Sequence, residues 1–390
     1  MAQYFKELRE KKKIVIVGPA YPYRGGNALY VSFLYDVLKA KYDVEIVNYK
    51  LLYPSILFPG TTQNDISGFV IKESISKRII NSVNPFTWFQ AAKHINNLQA
   101  DLVYFDWWNP FFGPSHRVIS SLIKKQYRDR IIFITENVMS HEGRFIDRLL
   151  TKMGLKNANA FVALSNIVED ALKDFTNKKI YKSALPIYGG YNLNKNLDVS
   201  KQKVEFGFKE DDDILLFFGY VRKYKGLNVL IDAMPGIIKK HPQVKLLIVG
   251  EFYDSPDKYY EQINNLGLKE NVKVVQRFVP NEEVGKYYSV ADMVVLPYLS
   301  ATQSGVLNIA YGFGKPVIVT NVGGLAEDVV DGKTGYIIKP LDENAIIKAV
   351  DKFFGDRGMI DFEANINNKL EDNLFNKFPE LTEQILKEIE

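Results

Sequence analysis

The fold of this chain is decided by residues 214–233, ILLFFGYVRKYKGLNVLIDA. Five consecutive apolar residues run into Gly219, a pattern typical of a parallel strand buried on both faces. A cationic loop then leads to Gly226, after which apolar side chains recur at helical spacing. The stretch predicts a strand, a loop and a helix over Gly226–Lys240 with a kink at Pro235, which is the repeating unit of a doubly wound α/β sheet.

The same pattern opens the chain, where the apolar run Lys13–Gly18 passes through a loop into a helical pattern. Strand-like runs separated by helical patterns continue in both halves, which predicts parallel sheets with right-handed crossovers. These runs are 44–47, 102–105, 131–134, 160–164, 245–250, 272–275, 293–296 and 316–320. We therefore predict an N-terminal domain over 1–190, a C-terminal domain over 191–364 and a final helix over 365–390. The boundary falls in the aperiodic loop 186–202.

Length and composition fit this division, because 390 residues with 46% apolar content are too many for one ordinary core and suit two. The absence of Cys excludes disulfides, thiolate metal sites and Cys nucleophiles. No apolar run approaches the ~18 residues of a membrane-spanning helix. The first residues lack the apolar stretch of a secretory signal. We therefore expect a cytoplasmic protein.

The charge is unevenly distributed along the chain. Residues 1–200 carry 27 Lys and Arg against 17 Asp and Glu, whereas residues 201–390 carry 23 against 29. The excess of cations in the first half, with clusters at Lys11–Lys13, Lys77-Arg78 and Lys124-Lys125, suggests contact with an anionic membrane at its inner face. A solvated surface explains the same imbalance. Nucleic acid is not expected, because the cations form no known binding module.

Two segments of the second half predict an anion site. Arg222 and Lys225 follow the first strand of this half, at the strand end where open α/β sheets bind ligands. A later strand runs into the polar loop Ser300–Ser304, and Gly305 then begins an apolar helix. The free N–H groups of that helix start attract phosphate or sugar oxygens, and the Gln303 amide suits sugar hydroxyls. A solvated basic loop is the alternative.

The order and spacing of these segments resemble the retaining glycosyltransferase family 4, of GT-B fold. The resemblance covers residues 200–350 and rests on FGYVRKYKGLNVLIDA, VKLLIVGE, FVPNEEVGKYYSVADMVVLPY and TQSGVLNIAYGFGKPVIVTNVGGLAEDVVDGKTGYII. It implies two Rossmann-like domains facing each other across a cleft, with the last helix crossing back to the first domain. It also implies that the second domain holds a nucleotide-sugar donor, such as a UDP- or GDP-sugar, and the first domain the acceptor.

The resemblance implies roles for individual residues. The phosphate-binding Lys of the family falls on Lys225, and Arg222 replaces the Arg that usually follows the strand-end Gly, where this chain has Tyr220. The family has two Glu seven residues apart, near the sugar and on the ribose. At the first of these positions this chain has Thr302 or Gln303, and at the second it has Ile309 or Ala310. The resemblance further implies that Gln303, Ser304, Gly305 and Val306 bind the donor. It implies that Phe278 and Val279 lie at the nucleobase, and that Glu327 replaces the family's second Glu at the ribose.

Three loops of the first half supply the remaining candidates. Gly25 and Gly26 resemble the family's glycine loop at the donor phosphates, with a plain turn as the alternative. Glu136 and His141, in a loop after a strand, suit contact with a sugar or acceptor hydroxyl. The aromatic and polar tips of Trp107, Trp108 and Asn109 suit an acceptor sugar or a lipid-linked acceptor. Core packing is the alternative for these aromatics.

A cofactor or metal is not expected. The four His show no ligand spacing and no Asp-x-Asp is present, so protein cations and helix-start amides are expected to stabilise the leaving nucleotide. The prediction is thus a sugar transferase (EC 2.4, hexosyl type) acting in surface polysaccharide, lipopolysaccharide or glycolipid assembly. Two alternatives stay open: a nucleotide-sugar epimerase of the same fold, and a non-catalytic scaffold that binds nucleotide sugars.

Overall fold

The computed structural model describes residues 11–58, 60, 62–139, 145–191 and 197–389. Within this part the chain divides into two compact units. The first contains the chain up to Asp65, Lys72–Pro186 and the end of the chain from Asn373. The second contains Ile66–Ile71 and Ile187–Asp372.

The first unit is built on a seven-stranded sheet in which every pairing is parallel. The strands are β1 (Lys13–Val17), β2 (Asp43–Leu51), β3 (Ser76–Asn81), β4 (Leu102–Trp107), β5 (Ile131–Thr135), β6 (Ala160–Ala163) and β7 (Ile180–Lys182). Their order is β3-β2-β1-β4-β5-β6-β7. The direction of winding therefore reverses between β1 and β4, and such a switch point is where open sheets bind ligands.

Helices cover both faces of this sheet. They are α1 (Gly26–Lys39), α2 (Pro85–Leu98), α3 (Gly113–Ser121), α4 (Phe145–Leu155), α5 (Asn166–Lys173) and, from the end of the chain, α13 (Phe378–Ile389). Alternate residues of the buried strand β1 supply the two apolar layers, with Val15 and Val17 in one and Ile14 and Ile16 in the other. The second layer also contains Phe378 and Ile385 of α13, so the last helix is part of the first unit's core.

The second unit repeats this architecture with six parallel strands. They are β8 (Asp213–Phe218), β9 (Val244–Val249), β10 (Val272–Val275), β11 (Met293–Leu296), β12 (Val317–Thr320) and β13 (Gly335–Ile338), in the order β10-β9-β8-β11-β12-β13. Its helices are α6 (Val199–Glu205), α7 (Leu227–Lys240), α8 (Asp257–Asn265), α9 (Asn281–Val290), α10 (Gly305–Gly312), α11 (Glu343–Asp356) and α12 (Phe362–Glu371). The switch point of this sheet lies between β8 and β11.

The two parallel, Rossmann-like units confirm the predicted fold class. The predicted strands are all present, and Pro235 lies inside α7. The sequence patterns did not reveal β3, β7 and β13, which lie at the edges of the sheets. Edge strands are half-solvated, so the polar sequence of β3 (Ser-Lys-Arg-Ile-Ile-Asn) lacks the apolar run of a buried strand.

The expectation of one helix from residue 365 to the end needs correction. The structure has α12 ending at Glu371 and α13 beginning at Phe378. Asn373 separates them, because its Oδ1 accepts the Phe375 N–H at 2.8 Å and its amide donates to the Leu185 carbonyl at 3.1 Å. A side-chain cap of this kind starts a new turn and stops the preceding helix. Among the described residues, no helix combines the length and apolarity that crossing a bilayer requires.

Candidate functional site

The candidate site of the second unit lies at the carboxyl edge of its sheet, at the switch point between β8 and β11. Gly219 follows β8 directly, and the loop from Pro297 to Ser304 follows β11. Parallel strands end on the same edge, so these two segments meet there. The ideal position of a Cβ on Gly219 lies 3.3 Å from Lys225 Nζ and 3.1 Å from Val306 Cγ2. The strand end, the lysine and the start of α10 therefore form one cluster.

Lys225 is the central charged residue of this cluster. It is only 7% exposed. Its ammonium lies 5.2 Å from the centre of the Tyr298 ring, a cation–π contact. Among the described residues this ammonium makes no ion pair or hydrogen bond. Burial lowers its pKa, and the positive charge of Arg222 lowers the pKa further. A buried cation without a carboxylate is costly, and an arrangement of this type is a candidate anion site.

A close backbone approach fixes Lys225 in this position. Gly226, with φ of 67°, is the N-cap residue of α7, and a Cβ there would lie 1.9 Å from the Pro297 carbonyl oxygen. The Leu299 N–H donates to the Tyr224 carbonyl at 2.6 Å, so the two loops are also hydrogen-bonded. Only glycine allows this approach at a positive φ. The loop after β8 is thereby held against the loop after β11.

The start of α10 supplies hydrogen-bond donors. Ser304 caps the helix by accepting the Leu307 N–H at 3.4 Å, and its hydroxyl lies 3.4 Å from that of Tyr298. The N–H groups of Gly305 and Val306 have no acceptor among the described residues, as expected for the first turn of a helix. Together with the helix dipole they favour an anion here. These are three of the predicted donor-binding residues.

The Gln303 amide has no hydrogen-bond partner in the described part of the chain. Its Oε1 and Nε2 are both buried, and neither has a hydrogen-bond partner among the described residues. Leaving a buried amide unsatisfied costs about 1–3 kcal/mol, so such a group in a native structure indicates a missing partner. The amide offers both donors and acceptors, as sugar hydroxyls require. That Gln303 binds sugar hydroxyls therefore stays a prediction.

Arg222 lies at the rim of the same edge. Its guanidinium stacks on the Tyr253 ring, 4.7 Å from the ring centre, and Tyr220 stacks on the same ring system at 4.8 Å. Arg222 belongs to the same loop as Lys225, three residues away. Stacking holds the planar guanidinium while its N–H groups remain able to bind oxygen anions.

The other donor-binding candidates stay predictions. Phe278 and Val279 follow β10 on the same edge of the sheet, and Val279 is buried. Glu327 lies exposed in a short 3-10 helix over Leu325–Asp328. No contact in the structure assigns a nucleobase or a ribose to these residues.

In the first unit, Glu136 lies beside the predicted glycine loop. Its backbone N–H donates to the Trp107 carbonyl at 2.9 Å, which places it at the ends of β4 and β5. Its Oε2 accepts a 2.7 Å hydrogen bond from Asn27 in the first turn of α1. Gly25 and Gly26 precede Asn27, and the space around their ideal Cβ positions is open. The structure thus brings Glu136 and the glycine loop together at the switch point of the first sheet.

The predicted acceptor residues need correction. Trp107 is fully buried, and its indole N–H donates to the Val138 carbonyl at 3.4 Å. Trp108 is 7% exposed and donates to the Tyr53 hydroxyl at 3.1 Å, while the Asn109 side chain accepts the Phe111 N–H to cap a turn. Both Trp residues pack in the core, which is the alternative given for them above, so neither offers a ring face to a sugar. His141 lies outside the described residues.

Sequence reasoning missed three residues at these two sites. Asn27 binds Glu136 and Tyr298 contacts Lys225, as described above, but Asn27 belongs to no recognisable motif, and Tyr298 ends the segment 278–298 without having been given a role. Asp106 carried a signal that could have been used. It is the only charged residue in the strand Leu102–Trp107, where every residue is buried. A buried charge in such a strand is a marker of function.

Parts of this chain are similar in sequence to known glycosyltransferases. Residues 198–372, which lie in the second unit, match the family model described as glycosyl transferases group 1. An uncharacterised glycosyltransferase of Methanocaldococcus jannaschii is 31% identical over 198 residues, which cover 49% of this chain and 49% of the relative. The capsular polysaccharide biosynthesis glycosyltransferase CapM of Staphylococcus aureus is 24% identical over 238 residues, 59% of this chain and 61% of CapM. The chain thus spans about half the length, or less, of the first curated relatives it matches.

Solved structures resemble the whole chain. HepE of Anabaena, solved in complex with UDP, has a TM-score of 0.73 and 16% identity, with 97% of this chain and 100% of HepE covered. At this identity the similarity establishes the fold, which is that of GT-B glycosyltransferases.

Proposed function

We propose that this chain is a glycosyltransferase that moves a sugar from a nucleotide-diphosphosugar donor to a saccharide or lipid-linked acceptor. The observation that carries the proposal is Lys225, which is buried at the switch point of the second sheet and pairs with no carboxylate of the described residues. A pyrophosphate is the anionic partner that this lysine lacks among the described residues. The N–H groups of Gly305 and Val306 then donate hydrogen bonds to the pyrophosphate. The match of residues 198–372 to group 1 glycosyl transferases supports this assignment.

The chemistry follows from where charge develops during transfer. When the bond between the sugar and the donor phosphate breaks, negative charge grows on the leaving nucleoside diphosphate. Lys225, Arg222 and the start of α10 are fixed cationic or dipolar groups, which stabilise this charge without reorganisation. We propose that these groups suffice without a divalent cation, so a chelator should leave transfer unchanged. We further propose retention at the anomeric carbon and a hexosyl donor, in keeping with the resemblance to family 4.

A donor screen tests the proposal. UDP-, GDP- and dTDP-sugars are added to the full-length protein and its thermal transition is measured, since a ligand bound at 100 times its Kd stabilises by about 2.7 kcal/mol. We expect one nucleotide class to raise the transition, and its sugar to be released slowly as the free sugar when no acceptor is present. Binding without turnover would instead support a scaffold, and a changed sugar on the intact nucleotide would support an epimerase.

The first unit also carries an apolar rim that supports a lipid-linked acceptor. It consists of exposed apolar side chains in three segments that follow β2, β3 and β5, so all three lie at the carboxyl edge of the sheet. These side chains are Ile56, Leu57, Val83, Phe86, Phe89, Phe145, Ile146 and Leu149. Phe145 is 90% exposed, and Arg148 and Lys152 are exposed on the same helix α4. An exposed apolar helix face with cations is typical of binding to an anionic membrane interface.

We predict that the apolar rim mediates membrane binding at the inner face of the cell membrane. The double variant Ile146→Gln and Leu149→Gln should bind anionic vesicles at least ~10-fold more weakly than the wild type, because each buried side chain contributes about 1.5–3 kcal/mol. Co-sedimentation with phosphatidylglycerol-containing vesicles measures this. Met359→Gln, which changes an exposed residue of the second unit, is the matched control. Equal binding by the double variant and the wild type would rule out α4 as the contact.

A further inference from the structure

Asp106 and Glu136 form a pair of carboxyl groups at the switch point of the first sheet. Asp106 is fully buried at the end of β4, and neither of its carboxylate oxygens accepts a hydrogen bond from any N–H or O–H group in the described part of the chain. Its polar neighbour is the carboxyl group of Glu136. Glu136 uses Oε2 to accept from Asn27, and its Oε1 has no such donor. Asp106 lies opposite Ile134 in the pairing of β4 with β5, and Glu136 follows Ile134 by two residues, so the two acids come together at the ends of these strands.

Among the described residues, no cation compensates this pair. No Lys, Arg or His of the described residues affects the pKa of either acid. Tyr49, a buried phenol, is close enough to Asp106 that the charge of Asp106, together with burial, raises the pKa of Tyr49. Two carboxylates in contact cannot both be charged at low dielectric, so one proton remains between them.

The direction of the pKa shifts agrees with this argument. Burial raises the pKa of Asp106 well above its usual range, and the charge of Glu136 raises it further. Burial also raises the pKa of Glu136 to about 7, against the lowering effect of the hydrogen bond from Asn27. The pair therefore loses its last proton near or above neutral pH rather than near pH 4.

The surroundings of the pair leave room for a ligand. Glu136 is partly exposed as a residue although its Oε1 is buried, and Asn27, its hydrogen-bond partner, follows Gly25 and Gly26, whose ideal Cβ positions have no atom within 4 Å. Helix α1 has no side-chain cap, so its first N–H groups and its dipole favour the one remaining negative charge. This is also the switch point of the sheet, where open α/β sheets take ligands.

We propose that Asp106 and Glu136 share a single proton and that the pair binds a hydroxyl group of the sugar acceptor. A carboxyl pair with one proton both donates and accepts a hydrogen bond, which matches a hydroxyl group, itself a donor and an acceptor. Glu136 contacts the hydroxyl, and Asp106 is a positioning residue that acts through Glu136. The acceptor half of this proposal, that the pair binds an acceptor hydroxyl, rests on the proposed function. The claim that the two acids share a proton does not.

Proton release on unfolding tests the shared proton without any assay of activity. A group whose pKa is raised in the folded state stabilises the fold at low pH, and this contribution is lost as the pH rises through the folded pKa. At pH 6 the wild type should therefore release about one more proton on unfolding than the double variant Asp106→Asn and Glu136→Gln, whose amides resemble the protonated acids in shape. Glu169→Gln is the control, because the hydrogen bond from Lys182 helps to hold the Glu169 pKa below its usual value.

Steady-state kinetics with the acceptor test whether the pair binds an acceptor hydroxyl group. For the wild type we expect KM for the acceptor to rise about 10- to 100-fold as the pH increases through the loss of the shared proton, the range expected for a charged hydrogen bond. In Glu136→Gln this pH dependence should disappear. A double variant that releases as many protons as the wild type overturns the pair itself. A pH dependence retained in Glu136→Gln overturns the hydroxyl contact, and a wild type that transfers no sugar overturns the proposed function and the acceptor half with it.

Discussion

Replacing Lys225 with Ala should lower kcat/KM for the nucleotide-sugar donor by about 10²–10³-fold, the usual effect of removing one fixed group that stabilises a developing anion. The stability of the fold should not fall. Lys225 is buried without an ion pair among the described residues, and burial lowers its pKa, so its charge costs folding free energy. Removing it should leave the free energy of unfolding unchanged or raise it, a trade-off typical of functional residues.

Lys223→Ala is the matched control for this prediction. Lys223 lies in the same short 3-10 helix as Lys225, but it is exposed. Its charge is screened by water, so its removal should change kcat/KM by only a few-fold. If both variants lost the same activity, the effect would come from the overall charge of the loop. If Lys225→Ala kept full activity, the assignment of Lys225 to the diphosphate would be wrong.

The second large effect is expected for Gly226→Ala. An added Cβ would lie 1.9 Å from the Pro297 carbonyl oxygen, and the backbone has φ of 67°. Separation of the two loops is the only relief, so we expect the second unit to lose about 2–5 kcal/mol of stability, from backbone strain and from overpacking together. Donor binding should fall in parallel, because Lys225 and the loop after β11 move apart.

Gly207→Ala separates the two causes. Gly207 also has a positive φ, of 82°, but no atom lies within 4 Å of its ideal Cβ position. It should therefore lose only the strain of about 1–2 kcal/mol. Denaturant unfolding followed by circular dichroism measures both variants. The fluorescence of the three Trp residues, all in the first unit, provides the internal reference. Equal losses in the two variants would contradict the role given to the contact between Gly226 and Pro297.

The sequence allowed a large part of the second unit to be predicted, for a physical reason. Buried parallel strands need long apolar runs, and the loops that follow them need glycine and polar residues, so both signals stand out along the chain. Lys225, Gln303 and Gly305 were identified in this way, and the structure brings Lys225 and the start of α10 together. Three of the four edge strands were missed, and β3 gives a physical reason, because a half-solvated strand does not need an apolar run.

The first unit was harder to predict, because its site depends on register and packing. Asp106 and Glu136 are thirty residues apart, and they meet only because β4 and β5 pair with Asp106 opposite Ile134. Trp107 looked suited to a sugar, but an aromatic residue at a strand end can face either the core or the solvent. The approach of Gly154, whose ideal Cβ lies 2.4 Å from the Trp107 ring, shows that helix α4 covers it.

The most direct measurement is a crystal structure of the protein with the nucleoside diphosphate that the donor screen selects. We expect diphosphate oxygens within hydrogen-bond distance, about 2.7–3.2 Å, of Lys225 Nζ and of the Gly305 and Val306 N–H groups. A diphosphate bound elsewhere, with Lys225 still lacking any anionic partner, would contradict this expectation.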